Sequence, residues 1–502
     1  VIHDFADVRA GFDVEADVVI IGSGPGGAVA AYNLASAGLR VVVLEAGPRV
    51  TAREMTRNGP EFLRKYYWEG GTRLLRGSGM WPAMSGRSLG GSTIVNSAII
   101  FRLPSDVRQA WIEEDGLEHL RGPALDESYD RIFATLKVDA TPEEAWGPRN
   151  VLTRDILRQA GLEAKPLPRA VQGCKGSNDC LTGCGSGAKQ SVDKNYLPMA
   201  VAAGAVIYTC AHVERITLVG DRATGVVGYV ADPETQEPVG RFVVRASRVV
   251  VAAGTMHTPV VLKKSGITVG GRVGGTFQAH LSSFALGVFP QIVDPWVGAT
   301  QGYGAFSDRV PGMKFEALWA PSPLIGAEWG PSGPEMYELL PDFKHALMIP
   351  LVYRAPSVRG RVGLRFDGMP DTVIKVPREA MWVVLSEVKR IVDAMLELDA
   401  RYVYTGVFGV PERIETKQQA QALLSQSIMP RHVTMTANHT FGSCRMSANV
   451  NDRVVGLDGK IDGLQNVWIC DASVFPSPSA VNPQATVMAL SDLTSRGIVA
   501  QA

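Results

Sequence analysis

Three groups of residues in this sequence have the types and spacing to do chemistry. Gly22, Gly24 and Gly27 stand in the G-x-G-x-x-G spacing of a dinucleotide-binding turn. Gly22 permits a tight turn, Gly24 lets the backbone approach a pyrophosphate, and Gly27 lets a following helix pack closely on the preceding strand. Ser23 and Gly26 lie inside the same turn, where phosphates would meet the free N–H groups of a helix start. Glu45 follows where a carboxylate can accept hydrogen bonds from an adenosine ribose. A glycine triplet alone only turns the chain. Here a strand precedes it, a helix follows it and the acid arrives on schedule.

The second group is Cys174, Cys180 and Cys184, a C-x5-C-x3-C run in a glycine-rich stretch. Thiolates are soft ligands, and bare backbone between them can wrap a compact inorganic cluster. Three thiolates without an obvious fourth suit a three-iron cluster. A disulfide between two of them, or free buried thiols, accounts for the spacing as well, because it differs from ferredoxin patterns. The third group centres on His439. An unperturbed imidazole titrates at about 6.5, so it can take a proton from a reacting group near neutral pH. A histidine on its own is more often structural.

Particular elements must hold these groups. Residues 18–21 read as a strand buried on both faces, 28–37 as a helix stopped at Gly38, and 41–44 as a second buried strand. The 55–84 stretch, rich in Arg, Gly and aromatics, shows no sustained period and is predicted as a long irregular crossing segment. At 86–93 glycines would let the backbone lie against a flat or charged ligand, with hydroxyls and the Asn96 amide to bond it. Residues 206–216 and 241–250 read as strands, and 466–470 as the last one. Between about 280 and 434 one helix is clear: Val384, Leu385, Val388, Ile391, Val392 and Met395 form a core-facing stripe.

With 502 residues, 46% of them hydrophobic, the chain can fill about three domain-sized units. Fifty basic residues balance fifty acidic ones, which excludes bulk electrostatic binding to nucleic acid or an anionic membrane. No apolar run approaches the roughly 20 residues of a membrane span. Residues 1–17 are too charged for a secretory signal, so a cytoplasmic location is expected.

The 86–93 stretch, Gly-Arg-Ser-Leu-Gly-Gly-Ser-Thr followed by Asn96, resembles the first signature of the glucose–methanol–choline oxidoreductase family. The resemblance continues at 254–259, Gly-Thr-Met-His-Thr-Pro, with Thr268 departing from the usual glycine further on. It continues again at 439–446, His-Thr-Phe-Gly-Ser-Cys-Arg-Met, and at Asp471-Ala472-Ser473 with Asn482-Pro483. It is weakest over 282–430. It implies FAD, with Gly90, Gly91, Ser92 and Asn96 near the isoalloxazine and pyrophosphate. The backbone at Val213 would meet the adenine, Gly254 lies in the second signature, and Asp471 and Ala472 would meet the ribityl or pyrophosphate region. Val95 stands where some members carry a flavin-linked histidine, so the FAD is expected to be non-covalent. His257 is expected to be structural or at most cofactor-adjacent. By the same resemblance His439 is the catalytic base, Asn482 holds the substrate oxygen with its amide hydrogen, and the backbone at Pro483 faces the N1 and O2 edge of the flavin. Cys444 belongs to a family motif and Cys210 and Cys470 to apparent strands, so none is assigned to metal.

The resemblance implies an α/β fold, a Rossmann-like FAD-binding domain interleaved with an α+β substrate domain built on an antiparallel sheet. Residues 1–281 would belong mainly to the first, with the crossing segment at 55–85 and a cysteine-rich insert at 170–190. Residues 282–435 would belong mainly to the second, and 436–502 return to the first. The implied reaction is oxidation of an alcohol to the aldehyde, with hydride passing to flavin N5. The cysteine spacing is similar to that of iron–sulfur-containing FAD-dependent sugar dehydrogenase subunits. Those hold a 3Fe-4S cluster and pass electrons to a cytochrome, and some travel to the periplasm with a small partner subunit. The surrounding residues look more like long-chain alcohol oxidases, for which oxygen would take the electrons. A hydroxynitrile lyase that keeps FAD without redox use, or a non-catalytic flavin-binding subunit, is the reading outside oxidation. The aromatic crossing segment and the alcohol-oxidase resemblance point to an apolar or aromatic primary alcohol, with sugars as the alternative.

Overall fold

The computed structural model describes residues 1–320, 325 and 333–501. Eight strands make the larger sheet, in the order Ile2–His3, Val206–Tyr208, Val41–Leu44, Gly11–Ile21, Pro238–Val251, Arg222–Ala231 and Ala211–Val219, with Val467–Ile469 added beside Pro238–Val251. Pairing is parallel as far as Pro238–Val251 and with Val467–Ile469, and the last two strands extend the sheet antiparallel. Gly11–Ile21 is central because Val18, Val19, Ile20 and Ile21 offer no polar face; each is buried. It is longer than the four residues that look like a strand, since it pairs with Pro238–Val251 from Gly11 opposite Arg241 to Ile21 opposite Val251. The helix after it, Pro25–Ser36, starts ahead of the predicted residues because Pro25 suits a first helical turn. The last helix, Gln484–Ala500, lies against it. Ser491 Oγ donates to the Gly26 carbonyl at 2.7 Å, and Asn33 Nδ2 to Asp492 Oδ1 at 2.8 Å.

The second large sheet is antiparallel, in the order Tyr402–Tyr404, Leu281–Val288, Ala346–Tyr353, Met313–Glu316, Tyr303–Phe306 and Lys165–Pro166. Helix Arg378–Glu397 packs on it through the predicted stripe, all six residues of which are buried. Burying each such side chain contributes about 1.5–3 kcal/mol, which makes that face the anchor of the helix.

The 55–84 stretch is not the irregular crossing predicted. It contains a helix, Gly59–Tyr66, and two strands, Leu74–Gly77 and Met80–Pro82, which join Pro370–Lys375 and Arg359–Leu364 in a four-stranded sheet. The helix is too short to show a period beyond its one buried pair, Phe62 and Tyr66, and the strand Leu74–Gly77 depends on a partner far along the chain, with Met80–Pro82 added at its other edge. Among the described residues no helix is long and apolar enough to cross a membrane.

Candidate functional site

The ends of the central parallel strands and one face of the antiparallel sheet enclose a cavity of about 400 Å³. Ile21 and Leu44 reach it from the parallel sheet, and Ser282, Glu316 and Val352 from the antiparallel one. This is the carboxyl end of the parallel strands, where open α/β sheets bind ligands.

The glycine turn forms one wall. Gly22 takes φ +100°, a conformation that favours glycine. Gly26 and Gly27 are needed for contact instead. A Cβ on Gly26 would fall 1.8 Å from the Cys470 carbonyl oxygen, and one on Gly27 2.0 Å from that of Gly22. Gly24 opens on the cavity, with nothing within 4 Å of where a Cβ would stand. The second glycine stretch arrives beside it: Gly90 takes φ +96°, and a Cβ on Gly91 would lie 2.9 Å from Gly24 Cα. Two bare backbones and a helix start thus face one space, a combination suited to a pyrophosphate.

Glu45 is buried, and its carboxylate accepts from Ser23 N–H at 3.0 Å, Ser23 Oγ–H at 2.6 Å and Gly47 N–H at 2.8 Å. Burial raises its pKa against the pull of those bonds. Ser23 Oγ in turn accepts from Gly90 N–H at 3.0 Å, so these two side chains tie together three chain segments. Ser92 Oγ accepts from Gly86 N–H at 2.9 Å, and Asn96 Nδ2 donates to Gln484 Oε1 at 2.7 Å. Asp471 accepts from Gly254 N–H at 2.9 Å, Ser473 N–H at 2.8 Å and the Thr258 hydroxyl, bracing the ends of neighbouring strands. Burial raises its pKa as well. Of the residues expected at a cofactor, Gly22, Gly24, Gly26, Glu45, Gly91, Ser92, Asn96, Val213, Gly254, Asp471, Ala472 and Pro483 line the cavity. Ser23, Gly27 and Gly90 stand behind its wall.

His439 and Asn482 meet at the cavity, with Asn482 Nδ2 3.4 Å from His439 Nε2. The other ring nitrogen, His439 Nδ1, lies 3.2 Å from His280 Nδ1. A short antiparallel pairing of Gln278–Ala279 with Thr440–Phe441 brings the two histidines together, and His280 N–H donates to the His439 carbonyl at 3.0 Å. Burial, helped by the Lys314 cation, pushes His439 down to about 3. Burial likewise holds His280 well below the usual range, so both rings are neutral near pH 7. Behind Asn482 the Lys314 ammonium donates to Asn482 Oδ1 and to Glu316, whose Oε2 accepts from Gln301 Nε2 at 2.8 Å. His280, Lys314, Glu316 and Gln301 are absent from the residues singled out by sequence. The one available signal was a Lys and a Glu two apart in an otherwise apolar strand.

Other parts of the wall are apolar, including Met84, Val95, Ile99, Leu181, Leu318 and Val352. His257 is a wall residue too. It stacks on Trp68 with ring centres 3.9 Å apart, and its Nε2 accepts from the Arg73 guanidinium at 2.9 Å.

Cys174, Cys180 and Cys184 do not line this cavity, and the expected ligand set is not assembled. The Arg169 guanidinium binds Cys180 Sγ at 3.2 Å and Cys174 Sγ at 3.7 Å, while Cys184 Sγ pairs with Ser186 Oγ at 3.3 Å. Among the described residues no three His, Cys, Asp or Glu side chains gather as metal ligands. Burial raises the Cys180 thiol, but Arg169 and Lys189 outweigh it and lower the pKa.

The profile of the GMC oxidoreductases matches residues 40–282 and again 358–491, and that of an FAD binding domain matches 17–54. An uncharacterized GMC-type oxidoreductase of Mycobacterium tuberculosis is 34% identical over 95% of this chain and 74% of that protein. A long-chain-alcohol oxidase of Arabidopsis thaliana is 27% identical over 97% of this chain and 68% of its own. Among solved structures, pyridoxine 4-oxidase from Mesorbium loti superposes with a TM-score of 0.70 at 17% identity, over 96% of this chain and 98% of that one. A formate oxidase gives 0.72 at 15% identity, over 98% and 99%. At such identities the likeness is one of fold.

Proposed function

The chain belongs to the GMC oxidoreductase family, which makes it an FAD-dependent oxidoreductase acting on CH–OH groups, and from that premise we propose that it oxidises an apolar primary alcohol to the aldehyde and passes the electrons to dioxygen. Bound FAD supplies the hydride acceptor. In this reading His439 Nε2 takes the hydroxyl proton, and the Asn482 amide holds the oxygen that becomes the carbonyl. The observation that carries it is the 3.4 Å approach of Asn482 Nδ2 to His439 Nε2 in the same cavity as the glycine cradle.

The residues fit the cofactor. Gly24 leaves room for its pyrophosphate and Gly91 lets the second glycine stretch lie against it, with Ser23, Gly26, Gly27 and Gly90 holding that backbone in shape. Glu45 keeps an unused lone pair for a ribose hydroxyl. The backbone at Val213 would take the adenine, and Gly254, Asp471 and Ala472 the ribityl side. Ser92, Asn96 and Pro483 would border the ring, and Val95 has no atom that could bond to it covalently. Residues 282–435 would supply most of the opposite, substrate-facing wall. The apolar lining and the long-chain-alcohol oxidase among the relatives support an apolar substrate. Dioxygen as acceptor is supported by that oxidase.

The test is the visible spectrum of anaerobic protein mixed with a panel of long-chain, aromatic and sugar alcohols. Bleaching of the flavin bands by a long-chain alcohol, reversed by air with formation of peroxide, is the expected result. Bleaching by a sugar alone would reject the substrate, and no bleaching would favour the lyase. A broad iron–sulfur absorbance would reject direct transfer to dioxygen.

A further inference from the structure

We propose that Lys314 is a positioning residue that holds His439 in its basic tautomer through the amide of Asn482. This rests on the reading of His439 and Asn482 as the reacting pair. Lys314 sits in the strand Met313–Glu316, at the centre of the antiparallel sheet, and its side chain is 2% exposed. Side chains two apart in a strand share a face, so Lys314 and Glu316 point the same way and pair. A buried ion pair of this kind is often no more stable than apolar residues of equal volume. Its value here lies in where the ammonium points.

Burial lowers the Lys314 pKa, but the Glu316 carboxylate against it holds the proton in place, and an ammonium can only donate. The Asn482 atom it touches is therefore the carbonyl oxygen, which fixes the orientation of the amide. The amide nitrogen, also only a donor, then faces His439 Nε2, which must be an unprotonated acceptor. A neutral imidazole carries one proton, so it sits on Nδ1 and is donated to His280 Nδ1 at 3.2 Å. His280 consequently carries its own proton on Nε2, an atom that has no partner among the described residues. One cation thus sets two tautomers, and the single lone pair of His439 Nε2 stands at the cavity, held by the Asn482 N–H until an alcohol hydroxyl displaces it. Lys314 itself does not line the cavity and acts through Asn482.

The experiment uses holoenzyme labelled with 15N at histidine, with the His439 signals identified from their loss in His439→Gln. In wild type the shifts should report a proton on Nδ1 and a bare Nε2. Lys314→Met should move them to a mixture of tautomers. It should also slow anaerobic flavin reduction by 1-dodecanol roughly 100-fold, the scale of a general-base contribution, with alcohol affinity changed less than about threefold. Lys314→Arg, still only a donor, should restore the wild-type tautomer. If Lys314→Met fails to fold, Lys314→Met with Glu316→Gln leaves no unpaired buried carboxylate and carries the same expectation. An unchanged tautomer in the Met variants would overturn the proposal, whether or not the rate falls. The tautomer is read without turnover. If His439→Gln reduces flavin as fast as wild type, the reading of the reacting pair fails, and that failure is distinct from an unmoved tautomer.

Discussion

His439 is a base kept uncharged by burial. Burial and the Lys314 cation push its pKa down to about 3, so the ring keeps its lone pair unprotonated across the whole physiological range. An exposed histidine would lose that capacity as the pH fell through about 6.5. Anaerobic flavin reduction by alcohol should therefore keep a constant rate from pH 8 down to 5, followed by stopped-flow absorbance. A decline with a midpoint near 6.5 would show that the ring is solvated and that burial does not govern it. His439→Gln keeps a polar side chain of similar reach but removes the base. The reduction rate should fall by about 10²–10⁴, the usual share of a general base, with FAD retained at full occupancy in the spectrum.

At the scale of the element, the strand, turn and helix at the front of the chain impose two different demands on glycine. Gly24 has open space where a Cβ would stand, on the cavity side, whereas Gly26 has the Cys470 carbonyl 1.8 Å away. Gly24→Ala should leave the melting temperature of the FAD-free protein unchanged and weaken FAD by at least about tenfold, or about 1.4 kcal/mol. Gly26→Ala should act the other way, forcing the Pro25–Ser36 helix off the sheet and lowering the melting temperature by several degrees or abolishing soluble protein. Thermal melts with and without FAD separate the two. The turn could be read from sequence because its strand, glycines, helix and acid all fall within one short segment. Why Gly26 must be glycine could not, because the atom that forbids a side chain belongs to Cys470. The same limit hid His280, which reaches His439 only through pairing between two short strands that are distant in sequence. At the cysteines, spacing fixes how far apart three sulfurs lie along the chain but not that the Arg169 guanidinium reaches two of them.

Across the described residues, burial lowers the pKa of five histidines: His119, His212, His257, His280 and His439. Each accepts a proton at about 6.5 once the chain unfolds. For His212 the folded value is about 3, set mainly by burial and further by Lys264 and Arg87. Between those values the unfolded chain binds a proton that the folded chain refuses. The stability is therefore full above about 6.5 and is lost as the pH falls, by up to about 1.4 kcal/mol per pH unit for each histidine. Glu45, Asp115 and Asp471 oppose this, because burial raises their pKa and the folded chain holds their protons longer. A single histidine is isolated by difference. His212 stacks on Tyr229 with ring centres 4.8 Å apart, so His212→Phe keeps an aromatic ring in place while removing the titration. Its melting temperature should fall less than that of wild type between pH 7 and 5, and the gap should widen steadily below 6.5. Parallel curves would mean that the folded protein already protonates His212, and that the cavity wall around it admits water.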